Sequence, residues 1–169
     1  MKSTKRFLAY ALPVLLLSAS CLTSDPSSRA VEAGSDERSR RAVEAVVDDW
    51  HGAASRADGA RYFGRMTEDA VFLGTDASER WTLPEFRAFC EPYFSQGRGW
   101  TYEPKERHVA VAGRIAWFDE RLWNDKYGEC RGTGVLREDG GEWRIAHYNL
   151  TMPVPNELAA DVVALIRGR

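Results

Sequence analysis

Four segments between Trp100 and Met152 constrain this chain more than any others. They are "WTYEPKERHVAVA", "IAWFDERLWN", "ECRGTGVLRED" and "EWRIAHYNLTM", separated only by "GR", "DKYG" and "GG". β-branched and aromatic residues fill the segments, and each separator is turn chemistry. The pattern predicts a meander of four long antiparallel strands.

Turns this short also predict the register. If Gly140 and Gly141 form a two-residue hairpin, Asp139 faces Glu142, and counting back puts Leu136 opposite Ile145, Gly134 opposite His147 and Gly132 opposite Asn149. A turn at Gly113 and Arg114 sets Ala110 against Trp117, His108 against Asp119 and Glu106 against Arg121. A "DKYG" connection that pairs Asn124 with Glu129 sets Asp119 against Gly134 and Arg121 against Gly132. One face then carries three rows: Ala110, Trp117, Leu136, Ile145; His108, Asp119, Gly134, His147; and Glu106, Arg121, Gly132, Asn149. The glycines leave a hollow among Asp, Arg, His and Asn, which is the make-up of a ligand pocket. The opposite face reads Val109, Phe118, Val135, Ala146, then Arg107, Glu120, Thr133, Tyr148, with Leu122 and Leu150 beyond. Placing the polar rows inside is the expectation, and a slip of one residue in any turn inverts it.

Upstream, Val43, Val46, Val47, Trp50, Ala53 and Ala54 recur at helical spacing, with Ser35 or Asp36 as the cap. Asp58 caps a shorter helix with Tyr62, Phe63 and Met66. "AVFLGTD" and "ERWT" read as a short hairpin, and Thr82 caps a helix bearing Phe86, Phe89, Cys90 and Tyr93. A last helix, "NELAADVVALI", follows Pro155. In "FLGTDASERW", Asp76 is placed to hold the amide of Ser78, and Glu79 with Arg80 to form a solvated pair. Trp81 and Asp76 are expected near a cavity rim.

The first twenty residues have the layout of a secretory signal: Lys2, Lys5 and Arg6, then an apolar stretch from Phe7 to Leu17, then small residues. "LSASC" resembles a bacterial lipobox, except that Ser18 stands where Leu is usual. Both lipidation of Cys21 and ordinary cleavage after Ser20 fit. Residues 21–35 read as a flexible tether and 36–169 as one domain. Net charge is −2, and losing residues 1–20 takes it to −5. With no basic block in the domain, nucleic acid is a poor partner, and membrane contact is expected only through a lipid anchor. Lipidation would leave Cys90 and Cys130, either as a disulfide or as two separately buried thiols.

The order of helices, hairpin, helix and meander resembles the nuclear transport factor 2-like superfamily and its SnoaL-like branch. "VVDDWHGA", "FLGTDASERW", "GRGWTY", "IAWFDE", "CRGTGVL" and "WRIAHYNL" carry the resemblance, over roughly Glu37 to Asn156. It implies an α+β fold in which a strongly curved, mostly antiparallel sheet wraps helices into a cone. It also implies a homodimer through the outer sheet face. The fold hosts enzymes and binders alike, so it does not specify a reaction.

Asp119 between His108 and His147 is the chemical candidate, since a carboxylate beside imidazole raises its basicity. A self-satisfied polar network is the alternative. Arg121 is either an ion-pair partner of Glu106 or the receptor for a ligand anion, and Asn149, Trp117, Trp81, Asp76 and Glu106 complete the expected ligand set. No metal or cofactor is expected: His51, His108 and His147 lack ligand spacing, and "GTG" at Gly132–Gly134 is followed by no helix. The sequence therefore points to an exported, envelope-localised SnoaL-like domain binding a small, partly apolar ligand. The alternatives are a cofactor-independent isomerase, cyclase or hydrolase using Asp119 with His108 or His147, and a ligand-free interaction module.

Overall fold

The computed structural model describes residues 26–168, with side chains from Asp36 onward. The expected signal segment, Cys21 and the first part of the tether lie outside the described residues. Pro26–Ser55 forms one helix, α1, so the helix begins ten residues before the cap expected at Asp36. "SSRAVEA" is made largely of residues a helix tolerates, and Pro26 sits where a first-turn amide has no partner anyway. After α1 come α2 (Gly59–Gly64), β1 (Met66–Leu73), β2 (Arg80–Thr82) and α3 (Leu83–Phe94). The meander follows as β3 (Glu103–Ala112), β4 (Ile115–Asn124), β5 (Gly128–Asp139) and β6 (Glu142–Thr151). A 3-10 turn (Asn156–Leu158) and α4 (Ala159–Arg167) close the described chain. The six strands form one sheet in the order β2-β1-β6-β5-β4-β3, antiparallel except where β1 lies parallel to β6. This is the expected α+β cone.

Local signals behave as the sequence implied. Asp58 accepts the Arg61 amide at 3.0 Å, and Glu85 accepts the Thr82 amide at 2.8 Å. Asp76 accepts the Ser78 amide at 2.8 Å, and Glu79 turns back onto the Asp76 amide rather than pairing with Arg80. The α1 stripe is buried at Val43, Val47, Trp50, Ala53 and Ala54. At about 25 cal/mol per Å² of apolar surface, such a stripe is what holds a helix against the sheet.

The register between β3 and β4 matches the expectation, with His108 opposite Asp119 and Glu106 opposite Arg121. Two later slips invert the rest. Asn124 pairs with Gly128, not Glu129, because the β4–β5 loop has three residues and Gly128 takes a left-handed conformation (φ +71°). The Asn124 carboxamide locks that loop by accepting the amides of Lys126 and Tyr127, both at 3.0 Å. Asp119 is consequently opposite Thr133, and Arg121 opposite Arg131. Between β5 and β6, Leu136 pairs with Ile145 but Val135 with His147, so Ala146 is an extra residue. Gly134 now faces Tyr148 and Gly132 faces Leu150.

The face that turns inward is therefore the one carrying Ala116, Phe118, Glu120, Leu122, Cys130, Leu136, Ile145, Tyr148 and Leu150, all buried. Its apolar side chains decide the matter, because the other face would bring Glu106, His108, Asp119 and Arg121 out of water together. The room beside the two glycines is taken: a Cβ on Gly132 would collide with the Tyr148 hydroxyl and Glu120, and one on Gly134 with the Phe118 ring.

Candidate functional site

α1 lies across the hollow of the sheet and brings Trp50 and His51 into it, both buried. His51 Nε2 meets Glu120 Oε1 at 2.8 Å. Tyr148 donates its hydroxyl to the same oxygen at 3.2 Å. On the other oxygen, Arg107 Nε donates at 2.9 Å, and Arg107 reaches on to Asp48 at 2.7 Å. Glu120 is 1% exposed. Burial alone pushes its carboxyl up, but the bonds and charges of His51 and Arg107 outweigh that and hold it below the usual carboxylate range. Burial, reinforced by Glu120, pushes the Tyr148 phenol well up, so it stays a neutral donor.

A charged Glu120 calls for a proton on Nε2, the His51 nitrogen that meets it. Nδ1 is then the ring nitrogen with no protein partner among the described residues.

His51 lines a cavity of about 560 Å³. Trp50, Tyr62, Trp100, Tyr102 and Leu150 also line it, and one wall is a run of near-parallel rings. Phe72 and Phe86 stack at 3.9 Å and 16°, Trp81 and Phe86 at 5.7 Å and 18°, and Trp81 and Phe89 at 4.6 Å and 23°. At the mouth stand Thr75, Glu79, Tyr93 and the Asp125–Lys126–Tyr127 loop. Phe89 and Tyr93 are each 42% exposed there. Lys126 leans on Tyr127, its ammonium 3.0 Å from the hydroxyl.

The sequence-expected residues separate into two groups. Trp81 lines the cavity, with Asp76 in the adjoining turn and not part of the lining. Asp119, His108, Glu106 and Arg121 lie on the outer face, where they border a second hollow of about 410 Å³ with Arg131 and Thr133. His147 is also on that face but one row away, opposite Val135, while Asn149 is the residue opposite Thr133. Trp117 is there too, 49% exposed. The row His108, Asp119, His147 does not exist, and His108 instead meets Glu106 at 3.2 Å. Arg121 pairs with Glu129 at 3.0 Å and Glu106 at 3.6 Å, the ion-pair role. The Asp119 dyad is thus corrected: the Gly128 and Ala146 slips moved its glycines and its second histidine away. Asp119→Ala is expected to change stability by no more than about 0.5 kcal/mol. Urea unfolding checks this; a loss above about 2 kcal/mol would contradict it.

Cys90 and Cys130 are free and buried, not bonded. Cys90 neighbours Tyr62, whereas Cys130 neighbours Tyr102. Burial pushes the Cys90 thiol up to about 12, so it is an inert packing group. Among the described residues no cluster of His, Cys, Asp or Glu is placed to hold a metal ion, and no helix is long and apolar enough to cross a membrane.

Sequence reasoning missed His51 and Glu120. A signal was present, since Glu120 sits at an inward position of an otherwise apolar alternation, in register with Arg107.

A curved sheet closed by helices over an aromatic cavity is the fold of the nuclear transport factor 2-like structures. Within it, the chain belongs to the SnoaL-like domain family, whose model matches residues 43–155. Solved structures agree on the fold. An NTF2-like protein of unknown function from Pseudomonas putida KT2440 is 18% identical and superposes with a TM-score of 0.61, covering 72% of this chain and 91% of its own. An NTF2-like protein from Cytophaga hutchinsonii is 13% identical, with a TM-score of 0.57 and 68% and 98% covered. A ketosteroid isomerase-like protein from Erwinia carotovora atroseptica is 22% identical, with a TM-score of 0.53 and 69% and 97% covered. No curated protein matches the chain.

Proposed function

We propose that the cone binds a small, flat, largely apolar molecule. The observation that carries this is the open wall of parallel rings from Phe72 to Phe89, ending in two exposed aromatic side chains at the mouth. A wall meant only for packing would be covered; this one borders about 560 Å³ of space. The test is isothermal titration with 2-naphthol and with 2-decalol, its saturated counterpart. Saturable binding of 2-naphthol, tighter than 2-decalol, supports the reading. No binding of 2-naphthol or of any flat bicyclic analogue contradicts it.

A second reading rests on His51. An imidazole at the cavity wall, held by a buried carboxylate through its far nitrogen, is the arrangement of a general base. In this reading Nδ1 accepts a proton from a bound molecule and returns it, with no cofactor. One structural relative is described as ketosteroid isomerase-like, and it lends this reading no more than a shared fold. The check is hydrogen–deuterium exchange at C1 of 2-tetralone in D2O, followed by NMR. Wild-type protein should accelerate exchange, and His51→Gln should abolish the acceleration while leaving 2-naphthol binding within about threefold. Equal exchange in both proteins leaves the cone a binding site only.

The outer face supports a further element of the proposal, a homodimer. Ile115, Trp117 and Trp123 are each more than 40% exposed on that face, and a second copy would cover them. Trp117→Glu should convert a dimer to a monomer in light scattering; a wild-type monomer at about 100 µM, which means association weaker than about −5.5 kcal/mol, contradicts this. Export and the envelope location rest on residues 1–21. The intact mass of protein recovered from its host checks them: Cys21 as first residue, with or without lipid, supports export, and retention of Met1–Ser20 contradicts it.

A further inference from the structure

We infer that α4 is a lid for the cone, swinging on the Met152–Pro155 linker to lay its apolar face over the cavity mouth. The inference rests on the cone being a ligand cavity. It begins from where the chain leaves the sheet. Leu150, the penultimate residue of β6, lines the cavity, as do Gly74 and Thr75 just after β1, Asn124 at the end of β4 and Asp125–Tyr127 just after it. These strand ends lie together, so β6 delivers the C-terminal segment to the rim of the mouth.

What it delivers is a helix with an uncovered face. Leu158, Val162, Leu165 and Ile166 recur at helical spacing with Val163 beside them, while Asp161 and Arg167 flank the stripe. Leu165 is 71% exposed and Ile166 62%, and α4 packs mainly on the 3-10 turn that precedes it. Nine residues are too few to be stable as a bare helix in water, so its stability calls for a surface to pack against. The mouth offers one: Phe89, Tyr93 and Tyr127 are each at least 40% exposed around it.

Dimensions allow closure. Four linker residues span up to about 14 Å, and Pro153 and Pro155 keep them extended. A cavity of about 560 Å³ is roughly 8 Å across, and a helix with its side chains is about 10–12 Å wide. Both sides carry charges of both signs: Asp161 and Arg167 flank the stripe, and Glu79, Asp125 and Lys126 are among the cavity's lining residues. The same chain is the committed occupant because its tether starts at the rim; an α4 from a second copy is the competing outcome.

The test uses the full chain in two forms. In the first, Leu165 is replaced by p-benzoylphenylalanine, the protein is irradiated with and without 2-naphthol, and crosslinked peptides are mapped. The lid predicts intrachain links to the α3 peptide with Phe89 and Tyr93 or to the Asp125–Tyr127 loop. In the second, Leu165→Asp with Ile166→Asp should release 2-naphthol at least tenfold faster in stopped-flow fluorescence, with the unliganded Tm unchanged. Links only between chains, links nowhere near the mouth, or an unchanged release rate each overturn the lid. If 2-naphthol binds neither protein, the binding proposal fails, and the crosslink in unliganded protein decides the lid alone.

Discussion

Glu120→Ala is expected to cost about 3–5 kcal/mol of folding stability, a drop of roughly 10–20 °C in Tm. The Glu120 carboxylate is fully buried and serves three groups at once: His51, Tyr148 and Arg107. Removing it leaves the Arg107 guanidinium, itself only 9% exposed, with Asp48 at the surface as its one remaining carboxylate and the Glu44 carbonyl at 3.4 Å. It also removes the acceptor that the buried Tyr148 hydroxyl uses among the described residues. An unpaired buried charge is the costly outcome, far more than the loss of one ion pair on the outer face. Glu120→Gln keeps the shape and loses the charge, so it should fall between wild type and alanine. The pH dependence has a definite sign. The folded carboxyl lies below its ordinary value of 4.5, so its contribution is complete above that pH and is lost as pH falls through the folded value. The gap in stability between wild type and Glu120→Ala should therefore shrink as pH falls below about 4.5 and through the folded value. Urea unfolding across that range measures it, and a gap that widens in acid would contradict the assignment.

The second large effect is at the aromatic wall. Phe86→Ala should cost about 3–5 kcal/mol, because Phe86 is 1% exposed and packs against Phe72, Trp81, Tyr62 and Phe63. Phe89→Leu is different. Phe89 is 42% exposed at the mouth, so stability should fall by less than about 1 kcal/mol. Its effect should appear in binding, since Phe89 presents the end of the wall to the cavity. A stacked ring is worth about 0.5–1.5 kcal/mol beyond its buried area, which is roughly a 2- to 12-fold preference for 2-naphthol over 2-decalol. Phe89→Leu should reduce that preference. A wild-type preference that survives both Phe89→Leu and Trp81→Leu would place the ligand elsewhere.

Much of the fold was legible because its signals are local. The β3–β4 register followed from the Gly113 turn, the caps from Asp58 and Thr82, and the α1 stripe from helical spacing. The site was less legible because it depends on counting through two irregularities. Gly128 serves as a turn residue in a left-handed conformation and also as the first residue of β5, shortening the loop by one. Ala146 is an extra residue in β6, which nothing in "EWRIAHYNLT" announces. Each slip turns the following strand over, so Asp119 kept its neighbour His108 but lost Gly134 and His147. The arrangement of Arg107, Glu120 and Tyr148 was readable on the other face, yet their histidine partner comes from α1, 69 residues away in sequence. No strand count could have supplied it.

The most direct test is a crystal structure grown with 2-naphthol. The central claim is that function resides inside the cone and not on the outer strand face. Density stacked on Phe89 and Trp81, with the hydroxyl toward His51 Nδ1, is the predicted result. Density in the outer hollow between His108, Asp119 and Arg131, with the cone holding only solvent, would contradict it.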